Sequence, residues 1–228
     1  MRVLAVASQK GGSGKTMLAT HLAVQAGATG AGPVVLVDID PQGALATWWA
    51  VRGEATPAFA QTTPERAHAD IEMLRQRGFR LAIIDTPPLA SPPVGRAIAE
   101  AALVLVPTRP HADDLRVAAG TVDLCAQQGK PMLFVVNGGA ADAVMGPEAL
   151  LRLAQHGPVA PHVVPQTPGL SDAMLSGRTL GEATPAHLSA GRIDALWAYV
   201  SGRMEKNFRR TVFAVPRQAA GGFGRRGL

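Results

Sequence analysis

A chain of 228 residues, 47% hydrophobic and 17% charged, is long enough to bury one sizeable core and too apolar to remain disordered. A single cysteine, Cys125, excludes an intrachain disulfide and a thiolate-held metal cluster, and no apolar run approaches the roughly 20 residues of a membrane helix. The net charge is only +5, but it is gathered near one end, where Arg203, Lys206, Arg209, Arg210, Arg217, Arg225 and Arg226 stand against one acid, Glu205.

The first element, VLAVAS at 3–8, is apolar almost throughout and follows no signal-peptide pattern, so a cytoplasmic location is expected. It runs into QKGGSGKT at 9–16, from which a helical pattern continues over 15–28. Further apolar runs fall at 33–39, 81–85, 102–107, 132–137 and 159–164. Helix patterns lie between them at 43–52, 64–77, 92–100, 111–128 and 147–156, with a closing one at 187–204. Runs without polar alternation suit strands covered on both faces. Strands alternating with helices imply an α/β domain whose doubly wound, mostly parallel sheet is flanked by helices. That domain is expected over 1–204, followed by a flexible basic tail over 205–228, where Pro216 and several glycines interrupt the periodicity. Cys125 lies in a helical pattern and reads as a small buried thiol. Trp48 and Trp49, just after a helix start, read as packing residues rather than a binding surface.

Ligands of such sheets bind beyond the carboxyl ends of the strands, and the distinctive polar residues lie there. Gly11, Gly12 and Gly14, with Ser13 between them, let the backbone wrap a phosphate with its N–H groups inward, at the start of a helix whose dipole favours the same anion. Lys15 is placed to reach the β- and γ-phosphates of a nucleotide, and the Thr16 hydroxyl to ligate Mg²⁺. Phosphoryl transfer depends on positioning and charge stabilisation, so acids should follow. Asp38 and Asp40 share one face at the end of the second run, and Asp85 ends the third in the setting of a Walker B carboxylate. The clustered positive charge of the tail suits a polyanionic partner, or serves only as a solvated, solubilising segment.

These stretches together resemble the ParA family of partition ATPases, of the MinD/ParA superfamily of P-loop NTPases. QKGGSGKT carries the deviant Walker A pattern, and VVLVDIDPQGALATWW, LAIIDTPP, VLVPTRPHADDL and VVPQTPGLSDAMLSGRTLGE extend the likeness along nearly the whole chain before the tail. The resemblance implies an ATP-hydrolysing homodimer with Mg²⁺ as cofactor, slow alone and stimulated by a ParB-like or other adaptor. It implies that Lys10 is the signature lysine reaching the partner subunit's phosphates, that Asp40 positions the attacking water, and that Asp38 sits near the metal. Met17 stands where the family more often has a second threonine, within the nucleotide-binding loop. Asn137 and the segment Pro165, Gln166 and Thr167 correspond to the adenine side. In the family the ATP dimer binds DNA without sequence preference, a task that Arg203, Lys206, Arg209, Arg210 and Arg217 would serve here by neutralising phosphates, so nucleoid association is expected.

Relatives with the same loop are separated by what this chain lacks. An iron protein of the nitrogenase type needs more cysteines, and a tyrosine kinase of this class needs a tyrosine-rich tail where this chain has only Tyr199. A binding adaptor with negligible turnover would have lost Lys10 or the water-positioning acid. The alternative is a MinD-like, membrane-associated positioning ATPase, for which RMEKNFRRTVFAV interleaves Phe208, Val212, Phe213 and Val215 with basic residues. Pro216 shortens any such helix, and DIDPQG matches ParA rather than MinD, so membrane binding is not expected.

Overall fold

This computed structural model describes residues 1–88, 90–109, 112–139 and 147–212. Seven parallel strands form one sheet in the order β3-β2-β4-β1-β5-β6-β7. In the chain they are β1 (Arg2–Val6), β2 (Val34–Asp38), β3 (Ala58–Gln61), β4 (Leu81–Asp85), β5 (Leu103–Thr108), β6 (Met132–Gly139) and β7 (Val164–Pro165). The connecting helices are α1 (Lys15–Ala28), α2 (Ala44–Ala50), α3 (Ala67–Gln76), α4 (Pro92–Ala99), α5 (Ala112–Gln127) and α6 (Pro147–Ala154). Three more follow the last strand: α7 (Pro168–Leu175), α8 (Leu180–Ala183) and α9 (Leu188–Val212).

Alternation along each strand sends successive side chains to opposite faces, and each face has its own core. Leu4, Leu36, Ile83 and Leu105 pack against Leu18 and Leu22 of α1 and Leu196 and Trp197 of α9. Val3, Val35, Ile84 and Val104 pack against Ile71 of α3, Ile98 of α4 and Leu124 of α5. The unbroken apolar runs of the sequence are therefore two interleaved sets of core residues. Cys125 is buried in the second layer, where desolvation pushes its thiol up to about 11. Trp48 is buried in the first, and Trp49 stacks on Phe59 with ring centroids 5.2 Å apart.

The expected α/β architecture is present, with differences that have local causes. β3 has no counterpart among the expected strands: it is a four-residue, half-exposed edge strand, too short to stand out as an apolar run. The run at 159–164 joins β6 as a strand only from Val164, and there with a shifted register, apart from an isolated bridge from Val159 to Phe134. Pro161, which has no N–H to donate, lies between them. α7 and α8 hide in a stretch punctuated by proline and glycine. Pro168 is tolerated because it occupies the first turn of α7, and α8 is started by a capping box in which Thr179 and Glu182 satisfy each other's backbone N–H groups. α9 runs to Val212, past the helix end expected at 204, and residues 213–228 of the expected tail lie outside the described residues. Asn207 Nδ2 there donates to Ala102 O at 3.4 Å, just before β5, so this part of α9 lies at the amino ends of the strands.

Ile83 is fully buried in β4, between β2 and β1. Ile83→Ala should lower unfolding stability by about 2–5 kcal/mol in a urea titration with an unchanged m-value; a loss below about 1 kcal/mol would mean the layer collapses around the gap.

Candidate nucleotide-binding site

β1 ends beneath a loop that can only be built with glycine at two points. Gly12 and Gly14 have φ of 69° and 90°, in the left-handed region that costs other residues free energy. At Gly14 a second constraint applies, because an added Cβ would stand 2.0 Å from Asn137 Nδ2. That amide donates to Ser13 O at 2.7 Å, holding the loop from β6, while Arg109 Nη2 donates to Gly12 O at 3.1 Å. From the other side Gln9 N donates to Thr121 Oγ1 of α5 at 3.3 Å. α1 begins at Lys15, so its N-terminal N–H groups open toward the loop.

Lys15 is buried with its Nζ 3.4 Å from Lys10 O. Burial lowers its pKa, and the nearby carboxylates of Asp85 and Asp40 oppose that shift. Thr16 Oγ1 donates to Asp85 Oδ2 at 2.6 Å. Asp85 Oδ1 is buried with no hydrogen-bond partner among the described residues, an oxygen suited to a cation or its water. Burial pushes the Asp85 carboxyl up to about 7, the Thr16 bond opposes this, and the neighbouring Asp38 adds to it. The Thr16 hydroxyl and the Asp85 carboxylate are hard oxygen donors beside a phosphate cradle, a set that fits Mg²⁺.

Asp38 is the register partner of Asp85 on the adjacent strand and is fully buried. Its Oδ1 accepts from Asp40 N and its Oδ2 from Ala46 N, each at 3.0 Å. Burial raises its pKa, against these two backbone bonds. In this geometry Asp38 holds the Asp40 turn and the start of α2. Asp40 accepts from Gln42 N at 2.9 Å through Oδ1, and Gly43, with φ of 66°, caps α2 directly behind it.

A cleft of about 650 Å³ opens beside the loop between α2 and α7. Gly12, Gly14 and Met17 lie along one side, with Trp48, Asn137 and Thr167 among the other residues that face it. Thr167 Oγ1 is buried without a hydrogen-bond partner among the described residues. Gln166 also lines the cleft, and Pro165 ends β7 just before it. A larger cavity, about 950 Å³, lies against β2, β3 and α3 and touches Asp40. It does not reach the glycine loop, so the smaller cleft is the better nucleotide site.

The fold thus brings together Lys15, Thr16, Asp38, Asp40, Asp85, Asn137 and the 165–167 segment. Lys10 points elsewhere: its Nζ pairs with the buried Asp114 carboxylate of the same chain, whose Oδ2 also accepts from Arg109 N at 3.3 Å. Neither Asp114 nor Arg109 is among the site residues expected from sequence; the only signal is a pair of acids opening the helix after β5. Arg203 and Lys206 of α9 are not among the residues that line the cleft. Arg203 donates to Tyr199 OH at 3.0 Å and lies over its ring, while Lys206 is exposed. Arg209 and Arg210 fall within α9, and Arg217, Arg225 and Arg226 lie outside the described residues.

Residues 4–180 match the CobQ/CobB/MinD/ParA nucleotide binding domain. The chain belongs to this family. Among the relatives of this ParA-family chain, the maintenance of carboxysome distribution protein A of Gloeobacter kilaueensis is 45% identical over 125 residues, covering 53% of this chain and 55% of that protein. The chain therefore spans little more than half the length of that relative in the match. The chromosome-partitioning ATPase Soj of Thermus thermophilus is 29% identical over 90% of this chain and 98% of its own. MinD of Pyrococcus horikoshii, solved with Mg-ADP, superposes with a TM-score of 0.72 at 19% identity, over 90% of this chain and 98% of that one. At that identity the last likeness speaks for the fold, which is the α/β architecture expected from sequence.

The Asp85 carboxyl generates a pH prediction for the metal-free protein. Its folded pKa lies near 7 against 3.8 for an ordinary aspartate, so between those values the folded chain holds a proton that the unfolded chain releases. Stability should fall as pH rises through that window and level off above it. Thermal melts in chelator across pH 4–8 should show this slope, and Asp85→Asn should flatten it; an identical slope in the variant would assign the dependence to another group.

Proposed function

We propose that this protein is an ATP-hydrolysing switch that pairs with a second copy over Mg²⁺ and ATP and positions DNA or another large cargo. The observation that carries the reading is the Thr16–Asp85 hydrogen bond beneath the glycine loop, with Lys15 beside it and Asp40 on the adjoining turn. Backbone N–H groups of the loop and the start of α1 bind the phosphates, and Lys15 adds a cation against the β- and γ-oxygens. Thr16 and Asp85 would hold Mg²⁺, which supplies neutralisation of phosphate charge when bound. Asp40, exposed enough to meet solvent, orients the attacking water. Met17, Asn137 and the Pro165–Gln166–Thr167 segment face the rest of the nucleotide. Lys10 leaves Asp114 to reach the partner subunit's phosphates, so pairing depends on the bound nucleotide.

The basic residues of α9 and the segment beyond it serve sequence-independent binding to DNA, which fits a nucleoid-associated, cytoplasmic protein. An adaptor protein would stimulate hydrolysis and select the cargo. One observation favours the membrane reading as the runner-up: α9 continues through the RMEKNFRRTV stretch, so these basic and apolar residues belong to one helix. Among the described residues no helix is long and apolar enough to cross a membrane, so lipid contact would be interfacial.

Lys15→Ala should lose nucleotide binding, whereas Asp40→Ala should keep it, lose hydrolysis at least about 100-fold and accumulate as an ATP-bound dimer in gel filtration. An Asp40→Ala chain that turns over ATP at the parent rate would overturn the water-positioning role.

Replacing Lys206, Arg209, Arg210 and Arg217 together by alanine should weaken nonspecific DNA binding and flatten its log–log salt dependence by about 0.9 for each DNA phosphate that is no longer neutralised. Unchanged DNA binding with loss of sedimentation on anionic vesicles would favour the membrane reading instead.

A further inference from the structure

We propose that Arg52 is a positioning residue for nucleotide binding, clamping together α2 and α7, the two walls of the cleft. The inference rests on the reading of that cleft as the nucleotide site.

Arg52 lies just beyond α2 and is buried although it is a cation. A buried guanidinium must have its donors met by fixed acceptors. Its Nε donates to Thr56 O at 2.7 Å, which ties down its own loop. Its Nη1 donates to Gly177 O at 3.0 Å and to Glu182 Oε2 at 3.1 Å, and its Nη2 to Glu182 Oε1 at 2.6 Å. Gly177 ends the turn that follows α7, and Glu182 belongs to α8. One planar fork therefore joins the end of one wall to the end of the other, a geometry that lysine cannot reproduce.

The same junction is tightened from other directions. A Cβ on Gly177 would stand 2.5 Å from Arg52 Cα and 2.6 Å from Arg52 N, so the α7 turn rests directly on the backbone after α2. Trp48, a wall residue of the cleft, donates from Nε1 to Arg178 O at 3.3 Å, and the Arg52 guanidinium lies 4.9 Å from its ring centroid. On the far side of α8, buried His21 of α1 accepts from Leu180 N at 3.0 Å through Nε2, and its Nδ1 donates to Met17 O at 2.8 Å. α8 is thus held at once by the helix of the phosphate loop and, through Glu182, by Arg52.

The clamp sets the separation of α2 and α7 without touching the phosphates. Asp40 has its own anchors in Asp38 and Gly43, so loosening Arg52 changes the cleft and leaves the hydrolytic turn in place. The signature is weaker binding of both ADP and ATP with little change in turnover at saturation, the pattern of lost uniform binding.

The test uses the full chain, a fluorescent ADP analogue, steady-state ATP hydrolysis and thermal melting. Arg52→Met should raise the Kd for ADP and the KM for ATP about tenfold while kcat stays within about twofold. Arg52→Lys should recover only part of the loss. If Arg52→Met does not fold, Glu182→Gln, which keeps the bonds to Gly177 and Thr56, should give the same split at about threefold. Variants that melt earlier yet bind ADP like the parent would show a merely structural role and overturn the proposal. A parent chain that binds no ADP would overturn the nucleotide reading and this inference with it; a parent that binds and variants that bind equally would overturn the inference alone.

Discussion

Two carboxylates buried side by side are the constraint around which this end of the molecule is arranged. Asp38 and Asp85 end adjacent parallel strands in register, and ionised carboxylates in that position repel each other in a medium that screens poorly. Each is compensated differently. Asp38 takes two backbone N–H groups and so organises the turn that carries Asp40. Asp85 takes the Thr16 hydroxyl and the field of Lys15, and keeps one oxygen without a protein partner among the described residues. The loop, the turn and the start of α1 thus converge on one pair of carboxylates.

The parallel sheet explains why these groups meet. Carboxyl ends of all the strands lie on one side, so residues far apart in the chain reach one cleft without any long excursion. The opposite side is bordered by the later part of α9, fixed there through Asn207 and Ala102. The cleft and this part of α9 are consequently separated by the length of the strands, and α9 packs on α1, the helix that follows the glycine loop.

Much of this was legible in the sequence, for physical reasons that also mark where legibility ends. Core strands announce themselves because both faces are buried, and the loop does so because its glycines and Lys15–Thr16 have few other uses. β3 stayed hidden because an edge strand covered on only part of its surface needs no long apolar run. α7 and α8 stayed hidden because proline at a first turn and glycine after a last turn look like loop punctuation until caps are seen. Asp114, Arg109, Arg52 and His21 could not be found by spacing at all. Their partners lie far away in the chain, and only the folded arrangement turns a common charged residue into a specific contact. The place of Asp38 was readable, but its grip on the Asp40 turn was not, since that depends on which N–H groups face it.

Gly14 shows how unevenly this loop tolerates change. Its backbone lies in a region that side chains avoid, and the space a Cβ would take is already filled by the Asn137 amide. Gly11 is constrained in neither respect: its φ is not positive, and nothing lies within 4 Å of an added Cβ. Drift at Gly11 therefore meets resistance only when an anion must approach, whereas drift at Gly14 is blocked by the chain's own Asn137. A second change at Asn137 could clear the space but would leave the backbone penalty, so no single compensating mutation restores the parent loop. Within one short motif, Gly14 is guarded by folding itself and Gly11 by the ligand alone.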